Sequence, residues 1–429
     1  MVEHAEMAWL VNARARRTAP DVSVTRFFSE AIAGEVKRFH QGFPRYRPTP
    51  LIQLKQLSRQ LGISKIWIKD ESYRFGLKAF KVLGASYALA CIMAEKAGMK
   101  DGAASFEAFT DTGKNRLRAG LTFVTATDGN HGRAVAWAAG MLGCGAVVYM
   151  PEGSSRARVE AVKSHGARVV VVEGNYDDAV VLAARQAEEK SWILVQDTTM
   201  EGYESVPIRI MQGYLTVLSE SLDALRGERP THIFIQCGVG SFAAAQQAYL
   251  VERFGSKRPL FGVVEASKAA CFYKSMSIND GKPHGVSGKL DTVMAGLACG
   301  QPSPLAWEIL RAFADFFLAC EDDMTMRGMR ALGRPLPGDP RIVSGESGAI
   351  TTGMVSTILT QARWRPAAEA LKLHSKSKIL LVNTEGDTDP ETYHHILGSS
   401  SNAMHPGDAL SSDAGPSHKK GGGSCHCMI

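Results

Sequence analysis

The sequence of 429 residues contains no uninterrupted apolar run long enough to cross a membrane. Its first residues, MVEHAEMAW, include two acidic side chains and lack the apolar core of a secretion signal, so we expect a cytoplasmic protein. Basic and aromatic residues are not interleaved anywhere, although the formal net charge is +6, and this argues against a nucleic-acid surface. We therefore expect neither a membrane nor a nucleic acid as partner.

The eight cysteines are scattered singly, apart from Cys425 and Cys427. This spacing argues against a disulfide scaffold and a zinc knuckle, and we assign no metal ligands. Cys271 and Cys299 flank a polar loop and could pair, but a reduced pair is the expectation. A dinucleotide-binding protein is disfavoured, because no G-x-G-x-x-G follows the first strand with an acidic residue about twenty positions later.

What the chain does contain is a regular alternation of apolar strand-like runs and amphipathic helical patterns. Lys65–Asp70, Arg168–Glu173, His232–Gln236 and Lys378–Val382 are typical of buried strands. Strands rich in Val, Ile and Leu that alternate with helices indicate parallel sheets covered on both faces. We predict an α/β protein with two open doubly wound domains and a small-molecule site in the cleft between them.

The predicted division of the chain places residues 1–85 and 210–397 in a large domain and residues 86–209 in a small one. Residues 398–429 are poor in apolar side chains, and we expect a disordered tail there. Two single helices are predicted over Pro207–Leu225 and Leu305–Phe317. Residues 99–120 are polar and weakly patterned, which favours a surface loop.

Lys81 opens the most apolar helical pattern of the chain. Nearly every residue from Val82 to Met93 is apolar, so this helix is predicted to be buried on almost all sides. Burial at the first turn favours the neutral amine, and a neutral lysine can attack an aldehyde to form a Schiff base. The alternative for this stretch alone is a lysine whose stem packs while its ammonium group reaches water.

Three polar segments follow predicted strands, at the place where α/β sheets carry their active residues. They are TATDGNHG at 125–132, QCGVGS at 236–241 and NTEGDTD at 383–389. The first two can bind an anion through backbone N–H groups at a helix N-terminus, although each could also be an ordinary turn. Asp197, in QDTTMEGYE, follows another strand, and its structural alternative is an N-cap.

Taken together, these motifs resemble the fold-type II pyridoxal phosphate enzymes, which include serine and threonine dehydratases, cysteine synthase and the tryptophan synthase β subunit. Longer strings are similar to the diaminopropionate ammonia-lyases: RFGLKAFKVLGASYA, TATDGNHGRAVAWAA, QDTTMEGYESVP, MAGLACGQPSP, SGESGA and NTEGDTD. They span roughly residues 45–395. The resemblance implies a homodimeric lyase of amino acid catabolism that uses pyridoxal 5′-phosphate to convert D- and L-2,3-diaminopropionate to pyruvate and ammonia.

The resemblance also implies roles for individual residues. Lys81 would hold the cofactor covalently and, once the substrate releases it, act as a base at Cα. Asn130 would bond to the pyridoxal 3′-oxygen, and Thr384 would meet the pyridine nitrogen, with Asn383 as the second candidate for that contact. The residues expected to cradle the phosphate are Gly238, Val239, Gly240 and Ser241.

Two aspartates are the specific features of this chain. The dehydratases it resembles place a small neutral residue near Asp128. An acid there could pair with a second amino group of the substrate or transfer a proton. If Lys81 removes the Cα proton of the L isomer and Asp128 that of the D isomer, both enantiomers can react. The resemblance makes Asp197 the other catalytic acid.

Three departures from the family pattern leave the fine substrate preference open. Cys237 stands where related phosphate loops have a small residue, Ala85 replaces a glycine, and QDTTM lacks an expected tryptophan. The runner-up function is a serine or threonine dehydratase of the same fold. A non-catalytic small-molecule-binding protein on this fold is the alternative from another class.

Overall fold

A computed structural model describes residues 7–18, 24–99, 104–110, 120–127 and 129–398 of the chain. The strands of these segments form one sheet of seven strands and one of four. Their bounds are β1 Met7–Val11, β2 Leu51–Gln53, β3 Lys65–Asp70, β4 Thr122–Ala126, β5 Gly145–Pro151, β6 Arg168–Val172, β7 Ile193–Leu194, β8 His232–Gln236, β9 Leu260–Ala266, β10 Phe316–Cys320 and β11 Lys378–Asn383.

Helices cover both sheets. Their bounds are α1 Glu30–Gln41, α2 Lys55–Gln60, α3 Lys81–Lys96, α4 Phe106–Thr110, α5 Asn130–Leu142, α6 Arg156–Lys163, α7 Tyr176–Lys190, α8 Ser205–Gly213, α9 Leu215–Ala224, α10 Ser241–Phe254, α11 Cys271–Ile278, α12 Pro304–Phe313, α13 Asp322–Gly333, α14 Glu346–Thr360, α15 Arg365–Ala370 and α16 Pro390–Gly398. Within the described segments, no helix combines the length and the apolar character needed to span a bilayer.

The seven-stranded sheet has the order β1-β10-β9-β8-β11-β3-β2. Its five central strands are parallel, while β1 and β2 add antiparallel edges. The central strands are buried on both faces, which explains their continuous apolar sequences, such as HIFIQ in β8. Because β8 and β11 are neighbours, the polar segments that follow them lie side by side at the carboxyl edge of the sheet.

The four-stranded sheet has the order β6-β5-β4-β7 and is parallel throughout. Its strands come from residues 122–194, whereas those of the larger sheet come from residues 7–70 and 232–383. Two sheets of an α/β protein confirm the predicted fold class. The division into domains at residues 85, 209 and 397 stays a prediction.

The helix that begins at Lys81 crosses α8 at two glycines. A Cβ atom on Gly84 would lie 2.8 Å from the Ile210 carbonyl oxygen, and one on Gly213 would lie 2.6 Å from the Gly84 Cα. Side chains at these positions would force the helices apart, so only glycine permits the approach. Twelve residues of α3 are buried, as its sequence predicts, and this packing fixes the place of its first turn.

A buried ionic network stabilises the segment that leads into α3. The Arg74 guanidinium lies 2.8 Å from both Glu71 and Glu220, and Lys69 Nζ lies 2.5 Å from Glu220. All four side chains are at most 1% exposed. Four buried charged side chains are tolerated only when each carboxylate pairs with a cation, so the loss of any one of them leaves an uncompensated buried charge.

Several sequence-based expectations about elements were wrong. The helix predicted to reach Phe317 ends at Phe313, because the apolar run from Phe316 forms the buried strand β10. The single helix over 207–225 is two helices separated at Tyr214, next to the glycine that contacts α3. Within the expected surface loop 99–120, the short helix α4 buries Phe106 and Phe109. Residues 399–429, where a disordered tail is expected, lie outside the described residues.

Candidate active site

A cleft of about 490 Å³ opens between the two sheets. Residues that follow β4, β8 and β11 line it together with Lys81, so the three polar segments singled out in the sequence meet in one place. This volume lies in the range of small-molecule sites. The predicted site residues that line it are Lys81, Asn130, Asp197, Gly238, Val239, Gly240, Ser241 and Thr384.

Lys81 and Asp197 form a close ion pair inside the cleft. The distance between Lys81 Nζ and Asp197 Oδ2 is 2.5 Å, and the side chains are 22% and 5% exposed. Lys81 is the first residue of α3, and Asp197 follows β7, so the pair joins the two sides of the cleft. The aspartate is therefore an ion-pair partner of the lysine.

The ion pair changes the protonation expected for Lys81. Burial alone would lower the pKa of this lysine, but the Asp197 carboxylate more than offsets burial and raises it. Burial likewise raises the pKa of Asp197, and the Lys81 ammonium outweighs this and lowers it to about 2. The prediction that burial favours the neutral amine was therefore wrong, because the sequence did not reveal the carboxylate facing the lysine.

The segment 238–241 forms a turn that requires glycine at position 240 and leaves little space for a side chain at position 238. Gly240 has φ of +98°, and a Cβ atom there would lie 2.7 Å from the Cβ of Ala306. A Cβ atom on Gly238 would lie 3.1 Å from the Gly296 carbonyl oxygen. Ser241 then begins α10, and its hydroxyl donates to the Asp197 backbone carbonyl. Backbone N–H groups at this helix N-terminus are thus available to an anion in the cleft.

At the end of β11, Thr384 and Asn383 face different surroundings. Thr384 lines the cleft, and its hydroxyl oxygen accepts a hydrogen bond of 2.9 Å from the Gln236 amide. Its own proton is therefore left to donate. The Asn383 amide donates to Asp70 and to the Val343 carbonyl, at 2.8 and 2.9 Å, within the protein interior. Of the two candidates for the pyridine nitrogen, Thr384 is thus the one with access to the cleft.

Asn130 begins α5 and reaches across the cleft. Its Nδ2 lies 2.5 Å from Glu385 Oε2 in the segment that follows β11. Glu385 Oε1 accepts from the Ser347 backbone N–H at 2.9 Å. Burial, followed by repulsion from Glu385, raises the pKa of Glu346, the residue before Ser347, to about 7. Asp128, two positions before Asn130, lies outside the described residues.

Sequence reasoning missed two side chains of the cleft, although both stand within the quoted motifs. Glu385 is 4% exposed and belongs to NTEGDTD. His131 belongs to TATDGNHG, is 4% exposed, and contacts the Val195 carbonyl through Nε2 at 2.9 Å. Burial lowers the pKa of His131, so its imidazole is neutral. The only signal for either residue was an ionisable side chain within a polar segment that follows a strand.

The thiols near the glycine turn form no disulfide with one another. The loop between Cys271 and Cys299 is therefore not closed by a covalent bond in this structure. Burial, followed by repulsion from Glu265, raises the pKa of both Cys237 and Cys271. Cys237 is therefore a small buried side chain in its thiol form, which is compatible with the position in the turn.

Comparison with known proteins assigns this arrangement to a family. A family model described as pyridoxal-phosphate dependent enzyme matches residues 43–384. The diaminopropionate ammonia-lyase of Salmonella typhimurium is 45% identical over 371 residues, which cover 85% of this chain and 92% of that protein. The crystal structure of the Escherichia coli diaminopropionate ammonia-lyase with D-serine superimposes with a TM-score of 0.84 and 42% identity, over 91% of this chain and 96% of that one. A structure of the same enzyme with an aminoacrylate-PLP azomethine reaction intermediate gives a TM-score of 0.83 at 41% identity, with the same coverage.

Proposed function

We infer the activity of this chain from its family, because it belongs to the pyridoxal-phosphate dependent enzymes and, within them, to the diaminopropionate ammonia-lyases. It catalyses the α,β-elimination of 2,3-diaminopropionate. The reaction removes the Cα proton and the β-amino group, and hydrolysis of the resulting enamine gives pyruvate and a second ammonia. The observation that carries this proposal is the close ion pair of Lys81 and Asp197 in a cleft that also contains a glycine turn for an anion.

The residues of the cleft fit pyridoxal phosphate. Lys81 is available for covalent attachment, the 238–241 turn presents a helix N-terminus to the phosphate, and Thr384 has a hydroxyl proton left to donate to the ring nitrogen. The Asn130 amide supplies a neutral donor for the ring oxygen. When bound, the cofactor supplies an electron sink that stabilises negative charge at the substrate Cα. A neutral partner at the ring nitrogen suits an elimination.

Asp197 is proposed to select the second amino group of the substrate. Before the cofactor binds, the Lys81 ammonium offsets the cost of burying the Asp197 carboxylate. Once Lys81 is engaged with the cofactor, this compensation is lost, and a buried carboxylate without a cation is costly. A cationic amine on the substrate β-carbon restores the pairing, whereas the hydroxyl of serine or threonine does not. This physical difference favours a diamino acid over the dehydratase alternative.

The two bases are proposed to act on opposite faces of Cα. Lys81, once released by the substrate, removes the proton of the L isomer. Asp128 removes that of the D isomer, as the resemblance implies. Asp197 is proposed to pair with the leaving amine and keep it protonated until it departs, and a protonated amine leaves more readily than a neutral one.

We propose in addition that the enzyme is a cytoplasmic homodimer that serves amino acid catabolism, since the family resemblance implies these properties. Sedimentation equilibrium of the purified full chain at micromolar concentration measures the assembly directly. A mass close to that of two chains is expected. A monomer that retains full activity would contradict the dimer.

The cofactor part of the proposal is tested by absorbance spectra of the purified chain, followed by addition of DL-diaminopropionate with pyruvate detection. A visible band at ~410–420 nm and release of pyruvate are expected, and both should vanish in Lys81→Ala. Lys78→Ala is the matched control, because Lys78 pairs with Asp387 at 2.8 Å and is 44% exposed. Equal loss of the band in both variants, or its survival in Lys81→Ala, would contradict the assignment of the lysine.

A further inference from the structure

We propose that Glu385 is a positioning residue for the cofactor site, acting across the cleft by orienting the amide of Asn130. The inference rests on the proposed function, since it concerns how the chain binds pyridoxal phosphate. Glu385 is a nearly buried carboxylate inside the cleft that the elimination itself does not use. Burying a carboxylate costs free energy unless hydrogen-bond partners compensate for it, so a buried carboxylate at this position calls for an explanation.

The backbone around Glu385 is anchored to the segment that carries Lys81. The Phe80 N–H donates to the Thr384 carbonyl at 3.2 Å, and the Gly386 N–H donates to the Lys78 carbonyl at 2.8 Å. The Glu385 carbonyl itself accepts from the Gly345 N–H at 2.9 Å. These contacts hold the strand end and the start of α3 together, so Glu385 sits on a rigid support beside Lys81.

The side chain of Glu385 is held just as firmly. Its Oε1 accepts from the Ser347 backbone N–H at 2.9 Å. Its Oε2 accepts from Asn130 Nδ2 at 2.5 Å and from the Thr388 hydroxyl at 3.4 Å. Because one oxygen is fixed by the α14 backbone, the other stays in place to receive the asparagine. Asn130 belongs to the helix after β4, so this bond joins the two sides of the cleft.

A carboxylate can orient the asparagine in a way that a neutral partner cannot. An asparagine amide has a donor end and an acceptor end of similar shape, and an ionised carboxylate accepts hydrogen bonds only. Glu385 therefore selects the orientation in which the Asn130 nitrogen faces it, and it uses one of the two N–H groups. The second N–H remains for the ring oxygen of the cofactor. Hydrogen bonds to an ionised acceptor are also stronger than neutral ones, which keeps the amide from turning.

The experiment is a double-mutant cycle read by cofactor affinity. Apoenzyme of the full chain is titrated with pyridoxal phosphate, and the visible band gives the dissociation constant for wild type, Asn130→Ala, Glu385→Ala and the double variant. Each single variant should weaken binding about tenfold, the worth of one charge-assisted hydrogen bond. The double variant should also weaken it about tenfold rather than a hundredfold, because Glu385 acts through Asn130.

Two further variants separate positioning from a general structural effect. Glu385→Gln keeps the shape, but with its oxygen on the Ser347 N–H it presents a donor to Asn130, so it should weaken binding about tenfold, as Glu385→Ala does. Glu346→Gln removes a neighbouring carboxylate that is 2% exposed and should bind the cofactor like wild type. Circular dichroism of each apoenzyme shows that the variants are folded.

Three results would overturn the proposal: additive losses near a hundredfold in the double variant, no loss in Glu385→Ala, or an equal loss in Glu346→Gln. The failure of the proposed function has a different signature. Wild type would then lack the visible band, or would show the band without releasing pyruvate from diaminopropionate. Affinity and turnover are thus read separately, and neither result can be mistaken for the other.

Discussion

Replacing Asp197 by asparagine removes the charge that holds Lys81 protonated. The two groups are 2.5 Å apart, and the lysine is only 22% exposed. In Asp197→Asn the effect of burial on Lys81 is no longer opposed, so the pKa of the amine falls and its neutral fraction at a given pH rises. The asparagine has nearly the same shape and can still hydrogen-bond to the amine, so the geometry of the cleft is retained.

The size of this rise in neutral fraction follows from the free energy that a buried ion pair contributes. Breaking such a pair by removing one partner costs about 3–5 kcal/mol, and the lower value applies here because the lysine is partly exposed. At ~1.4 kcal/mol for each factor of ten, the neutral fraction of Lys81 should rise about a hundredfold. Only the neutral amine attacks an aldehyde, so covalent attachment of pyridoxal phosphate should accelerate by about the same factor.

The assay is stopped-flow absorbance of apoenzyme mixed with pyridoxal phosphate between about pH 6.5 and 9, where the lysine stays mostly protonated in wild type. The rate should rise about tenfold for each pH unit in both proteins, and the Asp197→Asn rate should be about a hundredfold higher at each pH. Turnover of diaminopropionate by the loaded variant should nevertheless fall, since the partner of the substrate amine is gone. Glu228→Gln, which changes a surface pair with Lys65 and Lys378, is the control. Identical rates for wild type and Asp197→Asn at each pH would refute the reasoning.

Three other changes have expected outcomes. Gly240→Ala introduces a side chain at φ +98° and against Ala306, so cofactor affinity should fall at least about tenfold in a titration; unchanged affinity would contradict the phosphate turn. Asp128→Asn should reduce turnover of D-diaminopropionate about a hundredfold and leave the L isomer nearly unchanged, and equal losses in steady-state kinetics would exclude two bases on opposite faces. Glu220→Gln should lower the free energy of unfolding by about 3–5 kcal/mol in urea. Burial raises the pKa of Glu220, but hydrogen bonding to Arg74 outweighs burial and lowers this pKa from 4.5 to about 2. The stabilisation of the fold by the ionised Glu220 is therefore present above pH 4.5 and is lost as the pH falls towards 2. The free energy of unfolding of Glu220→Gln should therefore depend less on pH in this window than that of wild type, and an equal dependence would contradict this.

Much of the fold could be predicted because buried parallel strands have an unmistakable composition. The bounds of β3, β8 and the start of α3 agree with the sequence patterns. Prediction failed at β10, where one apolar element follows another without glycine or proline between them. The run from Phe316 to Cys320 continues the apolar pattern of the preceding helix, and short apolar runs do not distinguish strand from helix.

For the site, local sequence patterns predicted individual residues, whereas the contacts between distant residues could not be predicted. Lys81 follows from the start of an apolar helical pattern, and the glycine turn and Thr384 follow from motifs at strand ends. The structure brings them into one cleft. The pairing of Lys81 with Asp197, 116 positions apart, comes only from the folded chain, and it reverses the expected direction of the lysine pKa. The contact of Asn130 with Glu385 spans 255 positions and had no signal in either motif.

The most direct test of the account is the ranking of substrates by kcat/KM with the loaded full-length enzyme. D- and L-diaminopropionate are compared with D- and L-serine and with threonine, and pyruvate or 2-oxobutyrate is measured. When the substrate carries a hydroxyl in place of the β-ammonium group, the buried Asp197 carboxylate has no cationic partner, and this costs free energy. The kcat/KM of diaminopropionate should therefore exceed that of serine by at least about a hundredfold. Serine or threonine turning over as fast as diaminopropionate would contradict the assigned activity.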